Sequence, residues 1–172
     1  MTDIRVTPTQ VKTWGWLILP GRRFPCALGR SGIATDKHEG DGATPAGRWP
    51  LRELLYRADR IATPRSRLPA RALAPKDGWC DDPTHPDYNR LVGLPHPARC
   101  EQLWRDDALY DLIAVLGYND APVVAGLGSA IFLHTARPNL APTEGCVALG
   151  FGDLLAVISE VGPADAVVVE TK

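Results

Sequence analysis

Two side chains in the C-terminal third of this 172-residue chain have the types and spacing for nucleophilic chemistry. His134 ends the short apolar run Ser129-Ala-Ile-Phe-Leu-His134, and Thr143-Glu144-Gly145-Cys146 leads into a second run, Val147-Ala-Leu149. At neutral pH a free cysteine is only about a few per cent thiolate. A neighbouring imidazole takes the thiol proton and holds the thiolate as an ion pair, the Cys–His logic of acyl-transfer enzymes. Gly145 permits a tight turn just ahead of the sulfur, one that aims the amides of Gly145 and Cys146 at a developing oxyanion. On spacing alone, such a pair is more often a structural cysteine and a core histidine.

The other cysteines and histidines offer less. Cys26, in Phe-Pro-Cys-Ala-Leu, reads as a small buried hydrophobe. Cys80 and Cys100 fall in Pro/Asp-rich loops, and the sequence leaves open whether they pair. There is no CxxC, and His38, His85, His96 and His134 show no zinc-ligand spacing, so no metal site is expected. Charge is uneven. Seven arginines between Arg48 and Arg71 face only Glu53 and Asp59, while Asp77 to Asp87 holds four aspartates and no base. Two readings follow: an ordinary solvated surface, or a basic rim that meets a carboxylate-bearing peptide.

The elements that must position the thiol and imidazole read as mainly β. Thr13–Leu19 and Arg22–Leu28 form a hairpin across Pro20-Gly21. Gly29–Gly47 has neither helical nor strand period and reads as a glycine-rich loop, in which Lys37 and Asp41 act as internal ties. Arg48–Arg57 resumes β-like spacing, and Thr63–Pro97 reads as a long irregular excursion of the kind that carries function. Ala108–Asn119 reads as a strand, with a short helix as the alternative. Asp153–Val161 is the best helix, with Asp153 as N-cap and Gly162-Pro163 as its stop, and Asp165–Glu170 is a β-branched closing strand. One domain, 1–172, accommodates all of this.

Composition bounds the rest. Sixteen glycines and sixteen prolines in a chain that is 45% hydrophobic and 23% charged describe a turn-rich folded domain, not a disordered one. A net charge of −1 argues against a nucleic-acid binder. No apolar run reaches the roughly 18 residues of a membrane span, and the opening MTDIRVTPTQVKTWGW lacks the basic and apolar regions of an export signal.

His134, the loop after it and Thr143-Glu144-Gly145-Cys146 resemble the L,D-transpeptidase catalytic domain (the YkuD family), whose signature is a strand-end His, a loop and Ser/Thr-x-Gly-Cys. Thr44-Pro45-Ala-Gly47-Arg-Trp49 is similar to that family's Thr-Pro-x-Gly-x-aromatic turn, and the opening hairpin also matches, so the likeness covers about residues 13 to 170. It implies a β-sandwich fold with one or two short helices. It also implies a cofactor-free mechanism in which Cys146 attacks a peptidoglycan stem, forms a thioester and passes the acyl group to a second stem. His134 would be the general base and acid, oriented through the backbone carbonyl of Thr135. If water accepts the acyl group, the outcome is L,D-carboxypeptidase or endopeptidase activity; a scaffold retained only to bind cell wall is the non-enzymatic alternative. Stem substrates imply the periplasm or cell envelope, in tension with the absent export signal.

Several positions depart from the common pattern. Thr135 stands where Gly is usual, Glu144 where His is frequent, and Ala148 where Arg or Asn usually follows the nucleophile. Arg137 is therefore expected to meet a substrate carboxylate, and Glu144 to help bind substrate or to tune Cys146 or His134. A shorter branch of the family shares the Thr-Glu-Gly-Cys-Val-Ala form and the segment Trp79-Cys80-Asp81-Asp82…Tyr88-Asn89. That likeness implies crosslinks donated from the first stem residue, and a cleft lined by Trp79, Asp81, Tyr88 and Asn89.

Overall fold

The computed structural model describes residues 3–171. Its strands are β1 (Asp3–Pro8), β2 (Trp14–Leu19), β3 (Arg22–Ala27), β4 (Ile33–Ala34), β5 (Thr44–Pro45), β6 (Gly47–Tyr56) and β7 (Ala70–Ala72). They continue with β8 (Asp77–Cys80), β9 (Leu91–Gly93), β10 (Cys100–Gln102), β11 (Leu112–Leu116), β12 (Phe132–Thr135) and β13 (Val147–Leu149); helix α1 (Phe151–Glu160) precedes β14 (Ala166–Val169). The β2–β3 hairpin forms as expected, with Leu19 opposite Arg22 across Pro20-Gly21. Gly21 takes φ +72, a conformation that glycine adopts at no steric cost.

The main sheet runs β11-β12-β13-β3-β2-β1-β14-β6-β7 and closes on itself, because β6 also pairs with β11. Residues Gly47–Pro50 of β6 hold β14, and its later residues from Leu51 to Tyr56 hold β11. The expected sandwich is thus realised as a closed sheet with apolar clusters on both faces. Period-two alternation sorts the side chains. Leu112, Ala114, Leu133, Val147 and Leu149 point into the main core, which α1 joins with Leu154, Val157 and Ile158. Their neighbours Ile113, Val115, Phe132 and Cys146 point the other way, into a second cluster with Trp79, Leu103 and Tyr110. A separate sheet, β10-β8-β9, supplies the far wall of that cluster.

Some boundaries differ from the sequence expectation. The helix starts at Phe151 with Gly150 at the N-cap position, and Asp153 sits in the first turn, where its carboxylate meets the positive end of the helix dipole. The strand expected over Ala108–Asn119 is only Leu112–Leu116. The irregular stretch Thr63–Pro97 holds β7, β8 and β9, and the glycine-rich loop holds the two-residue β4 and β5. Such strands are too short for an alternation pattern to stand out, and their pairing partners are distant in sequence. β1, with Ile4 and Val6 fully buried, lies ahead of the first unit that the sequence reading recognised.

Candidate active site

The thiol and imidazole come to one cavity because β12 and β13 are parallel neighbours, pairing Leu133 with Val147 and His134 with Ala148. Alternation along both strands puts Phe132, His134, Cys146 and Ala148 on the outer face of the main sheet. There Cys146 and His134 border a cavity of about 590 Å³ between the closed sheet and the β10-β8-β9 wall. Cys146 Sγ–H donates to Ala130 O at 3.2 Å, and the Phe132 N–H donates to Sγ at 3.4 Å. His134 Nδ1 lies 2.9 Å from Thr135 O. A carbonyl only accepts, so Nδ1 carries the proton and Nε2 holds the free lone pair. Tyr110 packs edge-on against both the His134 and Phe132 rings.

Burial sets the protonation states. It pushes the Cys146 thiol up to about 12, with the nearby Glu101 carboxylate adding to the effect. It pulls His134 down to about 4, assisted by Arg137 and Arg105 and opposed by the hydrogen bond to Thr135. The resting pair at neutral pH is therefore neutral thiol and neutral imidazole, not the ion pair expected from sequence. Burial also raises the Glu101 carboxyl, which accepts the Tyr110 hydroxyl at 2.5 Å.

The turn before the sulfur is locked by the Thr143 side chain, whose role spacing along the chain does not reveal. The buried Thr143 hydroxyl donates to Cys146 O at 2.7 Å and accepts the Gly145 N–H at 3.1 Å. Thr143 itself is fastened to the hairpin end through Thr143 N–H to Leu28 O and Arg30 N–H to Thr143 O. The Gly145 amide is thus engaged, which leaves the Cys146 amide of the two oxyanion donors expected. Gly145 serves by conformation: its φ is +138, and an added Cβ would lie 2.8 Å from Ala43 O. Glu144 pairs with Arg30 (Nε–Oε2 2.8 Å) on the exposed rim. Its expected tuning role falls to Glu101, the carboxylate that acts on Cys146.

Of the four expected cleft residues in the excursion, Asp81 lines the cavity, paired with Arg99 at 3.0 Å. Trp79, Tyr88 and Asn89 are buried and do not line it. Asn89 Oδ1 accepts Trp79 Nε1–H at 2.9 Å and the Ala130 N–H at 3.0 Å, while Nδ2 donates to Tyr118 O and Asn119 O. Tyr88 donates to Glu39 and accepts the Gly128 N–H. These side chains hold the strand-entry segment in place. Ala130, at φ +53, is kept in a conformation disfavoured for a residue with a Cβ, with its carbonyl on the Cys146 thiol. The orphan hydroxyl of buried Thr135 has no hydrogen-bond partner among the described residues.

Lys37 and Asp41 tie the glycine-rich loop as expected, with Nζ–Oδ1 at 2.6 Å and Asp41 also accepting the His38 and Ala43 N–H groups. Buried Lys37 borders the cavity as well. The arginine-rich stretch is not a basic rim. Arg48, Arg52, Arg57, Arg60, Arg67 and Arg71 pair with Asp3, Asp120, Asp59, Asp111, Asp165 and Asp77. The carboxylates that neutralise it are mostly remote in sequence, which is why the local count misleads. At the cavity, Arg105 is held by Asp107. Arg137 is an exposed cavity-lining guanidinium without an ion pair among the described residues.

A buried thiol and a Nδ1-anchored imidazole, carried by neighbouring parallel segments of a closed β fold, thus open to one cavity of mixed charge. The profile of the L,D-transpeptidase catalytic domain family (YkuD) matches residues 15–169, and the chain belongs to that family. Among solved structures, an L,D-transpeptidase from Mycobacterium smegmatis aligns with a TM-score of 0.47 at 10% identity, over 99% of this chain and 59% of that one. L,D-transpeptidase 1 of Mycobacterium tuberculosis aligns with a TM-score of 0.41 at 10% identity, over 98% of this chain and 62% of that one. The chain thus spans about three fifths of the length of these structures. No curated protein matches it. No helix among the described residues is long and apolar enough to cross a membrane.

Proposed function

We propose that the chain is a peptidoglycan L,D-transpeptidase of the cell envelope in which Cys146 is the nucleophile and His134 the general base and acid. The observation that carries this reading is the Thr135 carbonyl on His134 Nδ1, which leaves the Nε2 lone pair for a cavity that Cys146 also lines. A donor stem enters with an L-residue carbonyl over Sγ. As the S–C bond forms, the thiol proton passes to Nε2, and the oxyanion is met by the Cys146 amide. The C–N bond to the following D-residue then breaks, and its amine leaves with the proton held on Nε2. The thioester remains. An acceptor amine attacks it, giving its proton back through His134, so the crosslinked peptide departs and the thiol is restored. Arg137, a cavity-lining guanidinium without an ion pair among the described residues, supports the reading that it meets a stem carboxylate in the role that Ala148 cannot fill.

The test is mass spectrometry of the protein with defined dipeptide, tripeptide and tetrapeptide stems. A covalent adduct on Cys146 and crosslinked product are expected, both absent in Cys146→Ala. The adduct mass tells which stem residue donates the acyl group, and thus whether first-residue crosslinks form. Crosslinking retained in Cys146→Ala removes this reading. Adduct formation followed only by hydrolysis, even with acceptor present, replaces the transferase with the carboxypeptidase or endopeptidase alternative.

A further inference from the structure

The expectation of no metal rested on sequence spacing, and the fold defeats spacing here. Cys80, at the end of β8, stands directly opposite Cys100, at the start of β10. Asp81 N–H donates to Arg99 O and Leu103 N–H to Asp77 O, so these are hydrogen-bonded pairs of the ladder. Alternation then makes Cys80–Cys100 a non-hydrogen-bonded pair, the kind in which facing side chains approach closest. His96, from the connection between β9 and β10, closes the third side. The two sulfurs and a ring nitrogen of His96 all lie within 4.8 Å of one another.

The imidazole is held in one tautomer and orientation. Ala98 N–H donates to His96 Nδ1 at 3.2 Å, so Nδ1 carries the lone pair. The proton is on Nε2, 3.1 Å from Asp87 Oδ2. A carboxylate behind the far ring nitrogen is the usual orienting contact of a metal-bound histidine. His85 packs edge-on against His96 at 4.9 Å, with its Nδ1 3.6 Å from the same carboxylate. Cys80 is fully buried and Cys100 half-buried, which keeps the sulfurs together and one side reachable.

We propose that Cys80, Cys100 and His96 bind a zinc-type divalent cation, with Asp87 orienting His96. Two thiolates and an imidazole form a soft donor set that selects zinc and its neighbours over magnesium or calcium. On binding, each thiol gives its proton to solvent, and the metal takes the Nδ1 lone pair from the Ala98 N–H. Three protein donors leave one tetrahedral position for water. A disulfide would use the two sulfurs but would leave the oriented imidazole and its carboxylate without a purpose. The ion would clamp β8, β10 and the intervening loop. That wall carries Asp81, Arg99 and Glu101 to the cavity, so metal and stem binding share a boundary.

The experiment uses reduced, chelator-stripped protein carrying Cys146→Ala, so that the nucleophile cannot act as donor, titrated with Co²⁺ and then Zn²⁺. One cobalt per chain with thiolate-to-cobalt absorption, displaced by one equivalent of zinc, is expected. Cys100→Ser should weaken binding at least tenfold, and Asp87→Asn about 10- to 100-fold with the absorption retained. Circular dichroism checks that each variant is folded. The proposal is overturned if the reduced protein shows no thiolate–cobalt absorption. Absorption that survives the double variant Cys80→Ser/Cys100→Ser would overturn it too. So would a Cys80–Cys100 disulfide by peptide mapping in protein whose reduced form takes up no cobalt.

Discussion

The buried neutral imidazole makes a quantitative demand on stability. His134 is unperturbed at 6.5 in the unfolded chain and pulled to about 4 by burial in the fold. Between those values the unfolded chain holds a proton that the folded chain refuses, so stability falls as pH drops from 6.5 towards 4 and is undiminished above that window. The gap corresponds to about 3 kcal/mol at pH 4. The carboxylates also respond to acid, so the informative quantity is the difference between the parent and His134→Gln, which cannot titrate. Urea unfolding at half-unit steps from pH 7 to pH 4 measures it. The parent is expected to lose about 3 kcal/mol more than the variant over this range. Parallel curves would refute the reasoning: the imidazole would then be hydrated or already charged, and the neutral resting pair would be wrong. Activity should fall on the same acid side, since protonated Nε2 cannot accept the thiol proton.

Two further substitutions address the supports of the site. Thr143→Val removes a hydroxyl that satisfies two backbone groups of the Cys146 turn. It should cost roughly 2–4 kcal/mol and lower the melting midpoint by roughly 10 °C, with Thr143→Ser keeping most of the loss away. A Val variant within about 0.5 kcal/mol of the parent would show that the turn holds without it. Asn89→Ala strips the partners of Trp79 Nε1–H and the Ala130 N–H. It should cost about 2–4 kcal/mol in urea unfolding and slow Cys146 adduct formation, because the Ala130 carbonyl on the thiol loses its anchor. Unchanged adduct rates in a folded Asn89→Ala protein would confine Asn89 to stability.

The neutral resting pair also fits the way the sulfur is housed. A permanently ionised thiolate in this pocket would need a cation at hand, whereas the thiol donates to Ala130 O and faces a raised Glu101 carboxyl. Substrate entry changes that environment by placing an electrophilic carbon over the sulfur. The buried Lys37 ammonium is the charge in the cavity that favours thiolate, and it lowers the Cys146 value only as the least of its causes.

The sequence by itself determined the β-rich fold class, the β2–β3 hairpin, the strand-end position of His134 and the glycine turn into Cys146. Each of these depends on neighbours along the chain: alternation, turn residues and β-branching act over a few positions. It also carried the family's motifs, because a thiol, an imidazole and a tight turn cannot be exchanged for other residue types without losing the chemistry. Only the tertiary structure decided which groups share a space. It closed the sheet through β6 and buried Trp79, Tyr88 and Asn89 as braces when the sequence had placed them in the cleft. It paired the arginines of residues 48–71 with aspartates up to about a hundred positions away, and put Glu101 in the tuning position expected of Glu144. It also set Cys80 opposite Cys100 with His96 beside them. These outcomes depend on burial, strand register and long-range charge pairing. Their energies come from contacts between segments that no local window of residues contains.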